Sequence, residues 1–164
     1  MPQQSHGRRR NARIKSKEPF YQNGLRFSCT CCSACCRYES GFVFLSEDDL
    51  MSLVKALNLP RHEIEGLYCA WIPSGMVDRL SLKEKPNYDC VFWNDGCSVY
   101  ENRPLQCRTF PFWDSILADA DAWERAAQDC PGVGRGAMHS FDEIVDALEQ
   151  GYARRLIERR RDIR

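Results

Sequence analysis

Cys29, Cys32, Cys35 and Cys36 stand in the stretch CTCCSACC, a CxxCxxCC array, and Cys90, Cys97, Cys107 and Cys130 follow singly. Thiolates are the soft ligands that hold zinc, copper(I) and iron–sulfur clusters, and a CxxC step lets one turn of chain aim two sulfurs at one ion. These cysteines predict a metal-binding protein. Bacterial ferredoxin-type clusters use a CxxCxxC run and a remote cysteine followed by proline. Cys29, Cys32 and Cys35, with Cys130 before Pro131, fit that pattern, and Cys36 has no place in it. A zinc ribbon pairs two CxxC knuckles, whereas the later cysteines here are seven, ten and twenty-three residues apart. In extended chain, adjacent side chains point to opposite sides, so Cys35 and Cys36 are expected to divide, one of them facing a second site or staying a reactive thiol. Eight cysteines can make one four-iron cluster with four spare ligands, two four-thiolate sites or one polynuclear site.

Whether the sulfurs meet a metal or each other depends on the compartment. The segment from Met1 to Lys17 is polar and basic, with no apolar run of signal length behind it, and no apolar stretch in the chain approaches the roughly 18 residues of a membrane span. The expected location is the cytoplasm, without membrane association. In that reducing space a cysteine framework binds metal or does redox chemistry rather than forming structural disulfides. Ten cysteines in 164 residues also fall below the roughly 8–10 % that marks a disulfide scaffold.

The formal net charge of zero hides a pattern. Outside Phe20 to Ala153 lie twelve of the 23 Lys and Arg but three of the 23 Asp and Glu, so the middle holds eleven basic against twenty acidic side chains, a net of minus nine. Basic ends on an acidic body read as solvated tails, and no nucleic-acid recognition module accompanies them. No protein partner can be read from the sequence.

The elements that position the cysteines follow from periodicity and punctuation. The expected fold is α+β, a small single domain with a short antiparallel hairpin or sheet, several helices and a loop-rich cysteine cluster. Residues 1–19 are expected to form a disordered basic arm, 20–138 the cysteine-cluster metal-binding domain, and 139–164 a C-terminal amphipathic helix packed on it. Within the domain, Phe42 to Leu45 reads as a short strand, and Ser46 caps a helix with Leu50, Leu53, Val54 and Leu57 on one face. Pro60 opens a second helix to about Tyr68 with Ile64 and Leu67 inward. Asp78 to Lys83 reads as a strand. Asn94, Asp95 and Gly96 turn a hairpin between Cys90–Trp93 and Ser98–Tyr100, which brings Cys90 and Cys97 to one tight turn. Pro104 to Arg108 makes one helical turn presenting Cys107, and Asp119 caps a helix delivering Cys130 at its end. Ser140 and Glu143 form a capping box before the last helix, whose face runs from Phe141 to Leu156.

CxxCxxCC at Cys29 to Cys36, KEKPNYDCVFW with Cys90, GCSVYENRPLQCRTFPFW with Cys97 and Cys107, and DCPGVGRG with Cys130 together resemble the YkgJ-like cysteine-cluster family, whose members are described as zinc- or iron-chelating. The resemblance runs from about Phe27 to Gly136. It implies zinc or an iron–sulfur cluster as cofactor and, as metal ligands, Cys29, Cys32, Cys35, Cys36, Cys90, Cys97, Cys107 and Cys130; Cys31 and Cys69 lie outside the family pattern. Flagellin lysine methylases carry a similar array, which implies that one branch uses it in an enzyme.

Other chemistry is hard to find. His6, His62 and His139 are scattered and read as surface residues, GVGRG at Gly132 to Gly136 reads as a flexible turn that could cradle an anion, and no nucleophile–base spacing stands out. Arg37, Arg103 and Arg108 flank the cysteines and can offset thiolate charge, Arg108 being wedged against the aromatic run Phe110, Phe112 and Trp113. That run, with Phe92 and Trp93, is expected to be mostly core and partly a shield for the site. Two function classes follow: a metal-binding module for zinc or an iron–sulfur cluster, and an iron–sulfur enzyme of electron-transfer or methyl-transfer type.

Overall fold

The structure is a computed structural model and describes residues 18–161. The expected basic arm falls, but for Glu18 and Pro19, outside the described residues. The architecture is α+β, with five α-helices beside a two-stranded and a three-stranded antiparallel sheet.

Helix α1 (Glu47–Leu57) begins where Ser46 and Asp49 exchange side-chain to backbone hydrogen bonds, a capping box that satisfies two end amides at once. It buries Leu50 and Leu53 completely and ends at Asn58 in the left-handed region, φ 51°. Helix α2 (Arg61–Tyr68) follows Pro60 and buries Ile64. Leu67, expected inward, is 56 % exposed. Tyr68 takes the inward place, its ring stacked on Phe92 at 4.8 Å, while Lys83 Nζ donates to the Gly66 and Leu67 carbonyls at the frayed end.

Strands β2 (Cys69–Ser74) and β3 (Val77–Leu82) form a hairpin through Gly75 at φ 65°. β2 has no clear alternation and carries Pro73, so its sequence does not announce a strand; it lies at the sheet edge, where proline is tolerated. β3 is central and buries Leu80, Ser81 and Leu82. The expected strand Phe42 to Leu45 lies along β3, with Leu45 N–H bonded to Leu80 O at 2.9 Å and Leu82 N–H to Val43 O at 3.0 Å. It gains no partner strand on its other edge, because the Gln106 amide accepts from Phe44 N–H and donates to Phe42 O there.

The expected hairpin around Gly96 keeps its turn and loses its strands. Single bridges join Trp93 to Cys97 and Glu84 to Cys90, and the return arm turns at once into a 3-10 segment, Tyr100–Asn102. Helix α3 (Leu105–Thr109) then presents Cys107, and helix α4 (Ala120–Asp129), capped by Asp119, leads into Cys130.

Strand β4 (Val133–His139) pairs with β1 (Leu25–Phe27), so the GVGRG segment is sheet rather than a free turn. Its glycines answer to close approach. A Cβ on Gly132 would overlap the Ser28 carbonyl, and one on Gly136, already at φ 77°, would overlap the Ser28 hydroxyl. Helix α5 (Phe141–Ala153) starts at the Ser140–Glu143 capping box. It stops three residues short of Leu156, since Leu156 bridges to Ser46 and Ile157 is bonded between Leu45 and Leu80. Strand β5 (Glu158–Arg160) then pairs with β3, held by Arg159 and Arg161 on Asp78 and by Arg79 on Glu158.

Two apolar clusters result. Leu45, Leu50, Leu53, Ile64, Leu80 and Phe92 centre the first, and Phe112, Leu117, Trp123, Val133 and Ile144 the second. Urea unfolding should show Leu53→Ala losing about 3 kcal/mol from its cavity, against less than about 0.5 kcal/mol for Leu67→Ala. Equal losses would mean that α2 is rotated from the position described. Gly132→Ala, which drives a methyl group into the Ser28 carbonyl, should cost about 1–3 kcal/mol in the same measurement; a neutral result would remove the close approach of β4 to Ser28.

Candidate metal centre

The cysteine array is bent inward by its backbone. Cys31 and Ser33 sit in the left-handed region at φ 54° and 62°, and a 3-10 turn, Ala34–Cys36, follows with Cys36 N–H bonded to Ser33 O at 2.9 Å. Where extended chain would point Cys35 and Cys36 to opposite sides, this bend brings their sulfurs to 3.9 Å, both on the lining of one cavity. Cys90 N–H donates to Cys36 O at 2.7 Å, tying the array to the tight turn that carries Cys90 and Cys97.

That cavity, of about 80 Å³, lies between the array, the turn and the start of α3. Cys29, Cys35, Cys36, Cys90, Cys97 and Cys107 line it, joined by Cys31, which lies outside the family pattern. Leu82, Phe92, Val99 and Pro104 form apolar wall, and Tyr100 and Arg103 supply the polar groups. Cys32 and Cys130 are not on its lining. They are charge neighbours on its flank: burial pushes the Cys130 thiol up, backbone amides of Gly132 and Val133 oppose this, and Cys32 and Cys35 add to the rise. Cys69 is buried on β2 and is not on the cavity lining, its thiol pushed up to about 11 chiefly by burial. All ten cysteines are free thiols.

The electrostatics of the cavity disfavour bare thiolates. Burial, then Cys90, Cys35 and Cys97, pushes the Cys107 thiol up to about 12, with Arg103 acting against them. Burial also raises Cys90 and Cys97. Cys35 is the exception, held down to about 6 first by the hydrogen bond from Cys36 and helped by Arg103. Cys36, which keeps the shared proton and faces Cys35, Cys90 and Cys97, is raised. Several sulfurs that each raise the next are a donor set suited to a thiophilic cation, which relieves all of the repulsion together. Among the described residues, no group of three or more Cys, His, Asp or Glu side chains is placed so as to hold a metal ion. The cavity is therefore a convergent set of soft donors, not a closed polyhedron.

The flanking arginines divide differently from expectation. Arg103 lines the cavity, donates to Tyr100 O at 2.7 Å and stacks on the Tyr100 ring. Arg37 lies outside the lining, on Asp89 at 3.0 Å and over the Trp93 ring. Burial works against the Asp89 charge, yet hydrogen bonds from Arg37 and Asn87 prevail and hold its carboxyl below the ordinary range. Arg108 is exposed, because α3 turns it away from Cys107. Of the expected aromatic shield, Phe92 walls the cavity, whereas Phe112 stacks on Trp123 in the second core. His62 is exposed on α2 as expected. His139 is not a plain surface residue: its ring bonds the Phe27 carbonyl and packs on Phe112. His6 lies outside the described residues. Tyr100, missed in the sequence, lines the cavity beside Cys29 and Arg103; its place between Cys97 and Arg103 was the available signal.

Among the described residues, no helix is long and apolar enough to cross a membrane. No solved structure matches the chain. A family model described as "CxxCxxCC: Putative zinc- or iron-chelating domain" matches residues 28–131, which is 104 of the 164 residues and spans every cysteine of the cavity and its flank. By that match the chain belongs to the CxxCxxCC family of zinc- or iron-chelating domains.

Proposed function

We propose that this protein is a metal-binding module whose ligands are the eight thiols of Cys29, Cys32, Cys35, Cys36, Cys90, Cys97, Cys107 and Cys130, divided into two groups of four. The observation that carries the metal-binding reading is the convergence of six of them, from three separate stretches of chain, on one cavity with apolar walls. Backbone ties support the division. Cys36 is bonded to Cys90, and Trp93 bridges to Cys97, which gathers Cys36, Cys90 and Cys97 with Cys107. Ser28 N–H is bonded to Gly132 O, which draws the Cys29 end of the array to the Cys130 segment. Cys29, Cys32, Cys35 and Cys130 then make the second group, in the CxxCxxC-plus-Cys-Pro order of ferredoxin-type clusters. Cys36, which has no place in that order, belongs to the first group. The adjacent sulfurs of Cys35 and Cys36 are the seam between them.

Bound there, zinc would act as a structural or carried ion, whereas an iron–sulfur cluster would add electron-transfer capacity. The second reading, an iron–sulfur enzyme of electron-transfer or methyl-transfer type, draws on the ferredoxin-like order of the second group. Metal and sulfide analysis of protein prepared without oxygen separates the two. Brown protein carrying iron and inorganic sulfide supports a cluster, and colourless protein with stoichiometric zinc excludes it. Protein without either metal overturns the proposal.

Single substitutions test the ligand set. Cys29→Ser, Cys32→Ser and Cys107→Ser should each lower bound metal by about half or more, since each opens one four-thiolate group. Cys69→Ser should leave metal content unchanged. Equal metal in all four variants would refute the assignment.

A further inference from the structure

Arg154 leaves the end of α5 with its side chain turned inward and 12 % exposed. Its Nε and Nη1 are buried and have no hydrogen-bond partner among the described residues. A buried guanidinium with unbonded donors is costly unless its charge acts on something. Nη1 stands 3.8 Å from Asp49 Oδ2, and Nη2 donates to Gln106 Oε1 at 3.3 Å.

Both of those partners hold α3. Asp49, buried, accepts from the Ser46 amide and hydroxyl at 3.0 and 2.8 Å through Oδ2, and from the Leu105 amide at 2.7 Å through Oδ1. One carboxylate thus caps α1 and the first turn of α3. Gln106 pins α3 to the Phe42–Phe44 edge. The next residue is Cys107. With five residues, α3 has too few internal hydrogen bonds to fix its own direction. A cavity of about 230 Å³ between α3 and α5, with Gln106 and Arg154 on its lining, leaves α3 room to shift if that support goes. Burial lowers the Arg154 guanidinium, and the charge of Asp49 opposes this. Beyond Arg154 the chain is fastened by Ile157 and β5 to the main sheet.

We propose that Arg154 is a positioning residue for the metal centre, setting the direction of α3, and with it the Cys107 sulfur, through Asp49 and Gln106. The C-terminal segment is in this way a clamp on the site. The role rests on Cys107 being a metal ligand, as proposed above.

Two readouts on the full chain test it: the rate of zinc transfer to a chromogenic chelator, and the alkylation rate of Cys107 relative to Cys90 in metal-free protein, mapped by peptide mass spectrometry. Arg154→Met should weaken zinc retention about 10- to 100-fold, the range for lost outer-shell partners of a metal site, and raise the Cys107 to Cys90 labelling ratio. Arg154→Lys, which keeps the charge, should recover most of both. Gln106→Met cuts the same linkage without stranding Asp49 and should shift the ratio in the same direction, so the test survives if Arg154→Met does not fold. Ile144→Ala, a cavity in the second core, should leave the ratio at its wild-type value. An unchanged ratio in Arg154→Met, or in Gln106→Met should the former not fold, overturns the role of Arg154, as does an equal change in Ile144→Ala, which would reduce it to general destabilisation. A wild-type chain that takes up no zinc and no iron instead overturns the metal-centre function, and the labelling ratio is read independently of it.

Discussion

The gathering of sulfur donors in a buried apolar cavity, where burial first and then their neighbours' charges disfavour the thiolate, is the constraint on which the rest depends. Cys90, Cys97 and Cys107 are raised chiefly by burial, and each also by the charges of neighbouring sulfurs. A fold that gathers them without a cation keeps them protonated, and ionising one makes ionising the next harder. Arg103 offsets part of this, and the Cys36 to Cys35 hydrogen bond lets a single thiolate form. Binding a thiophilic ion reverses the balance, which couples occupancy of the cavity to ordering of the loops around it.

The surrounding structure is arranged to hold those loops. The first core supplies the cavity wall through Leu82, Phe92 and Val99, so packing and site share residues. The second core fixes the β1–β4 pair that carries the chain into Cys29 and out of Cys130. Between them, buried Asp49 joins the start of α1 to the start of α3. Apart from Cys107 on the short helix α3 and Cys69 on β2, the thiols sit in loops and a 3-10 turn, as expected where loops on a rigid frame carry the chemistry.

Helices were legible where capping and apolar periodicity agreed. Ser46 and Ser140 begin α1 and α5, Asp119 begins α4, and each announces itself by side-chain chemistry local in sequence. Strands depended on distant partners and were harder. β2 and β4 carry Pro73 and repeated glycine, which argue against strands until the edge position of one and the close approach of Ser28 to the other are known. Leu156 continued the helical period but was claimed by a bridge to Ser46, a tertiary contact that periodicity does not report. Of the cysteines on the cavity lining, Cys29, Cys35, Cys36, Cys90, Cys97 and Cys107 could be picked out from their spacing and from family resemblance. The approach of Cys35 to Cys36 could not, because it follows from left-handed backbone at Cys31 and Ser33, residue types that carry no such signal. Cys31 reached the cavity by the same bend.

X-ray absorption at the zinc and iron edges of freshly purified, oxygen-protected protein measures the central claim most directly. A first shell of sulfur alone, at about 2.3 Å, with no short nitrogen or oxygen neighbour, is the expected result. A first shell dominated by nitrogen or oxygen would contradict it, since the cavity is lined by thiols and not by imidazole or carboxylate.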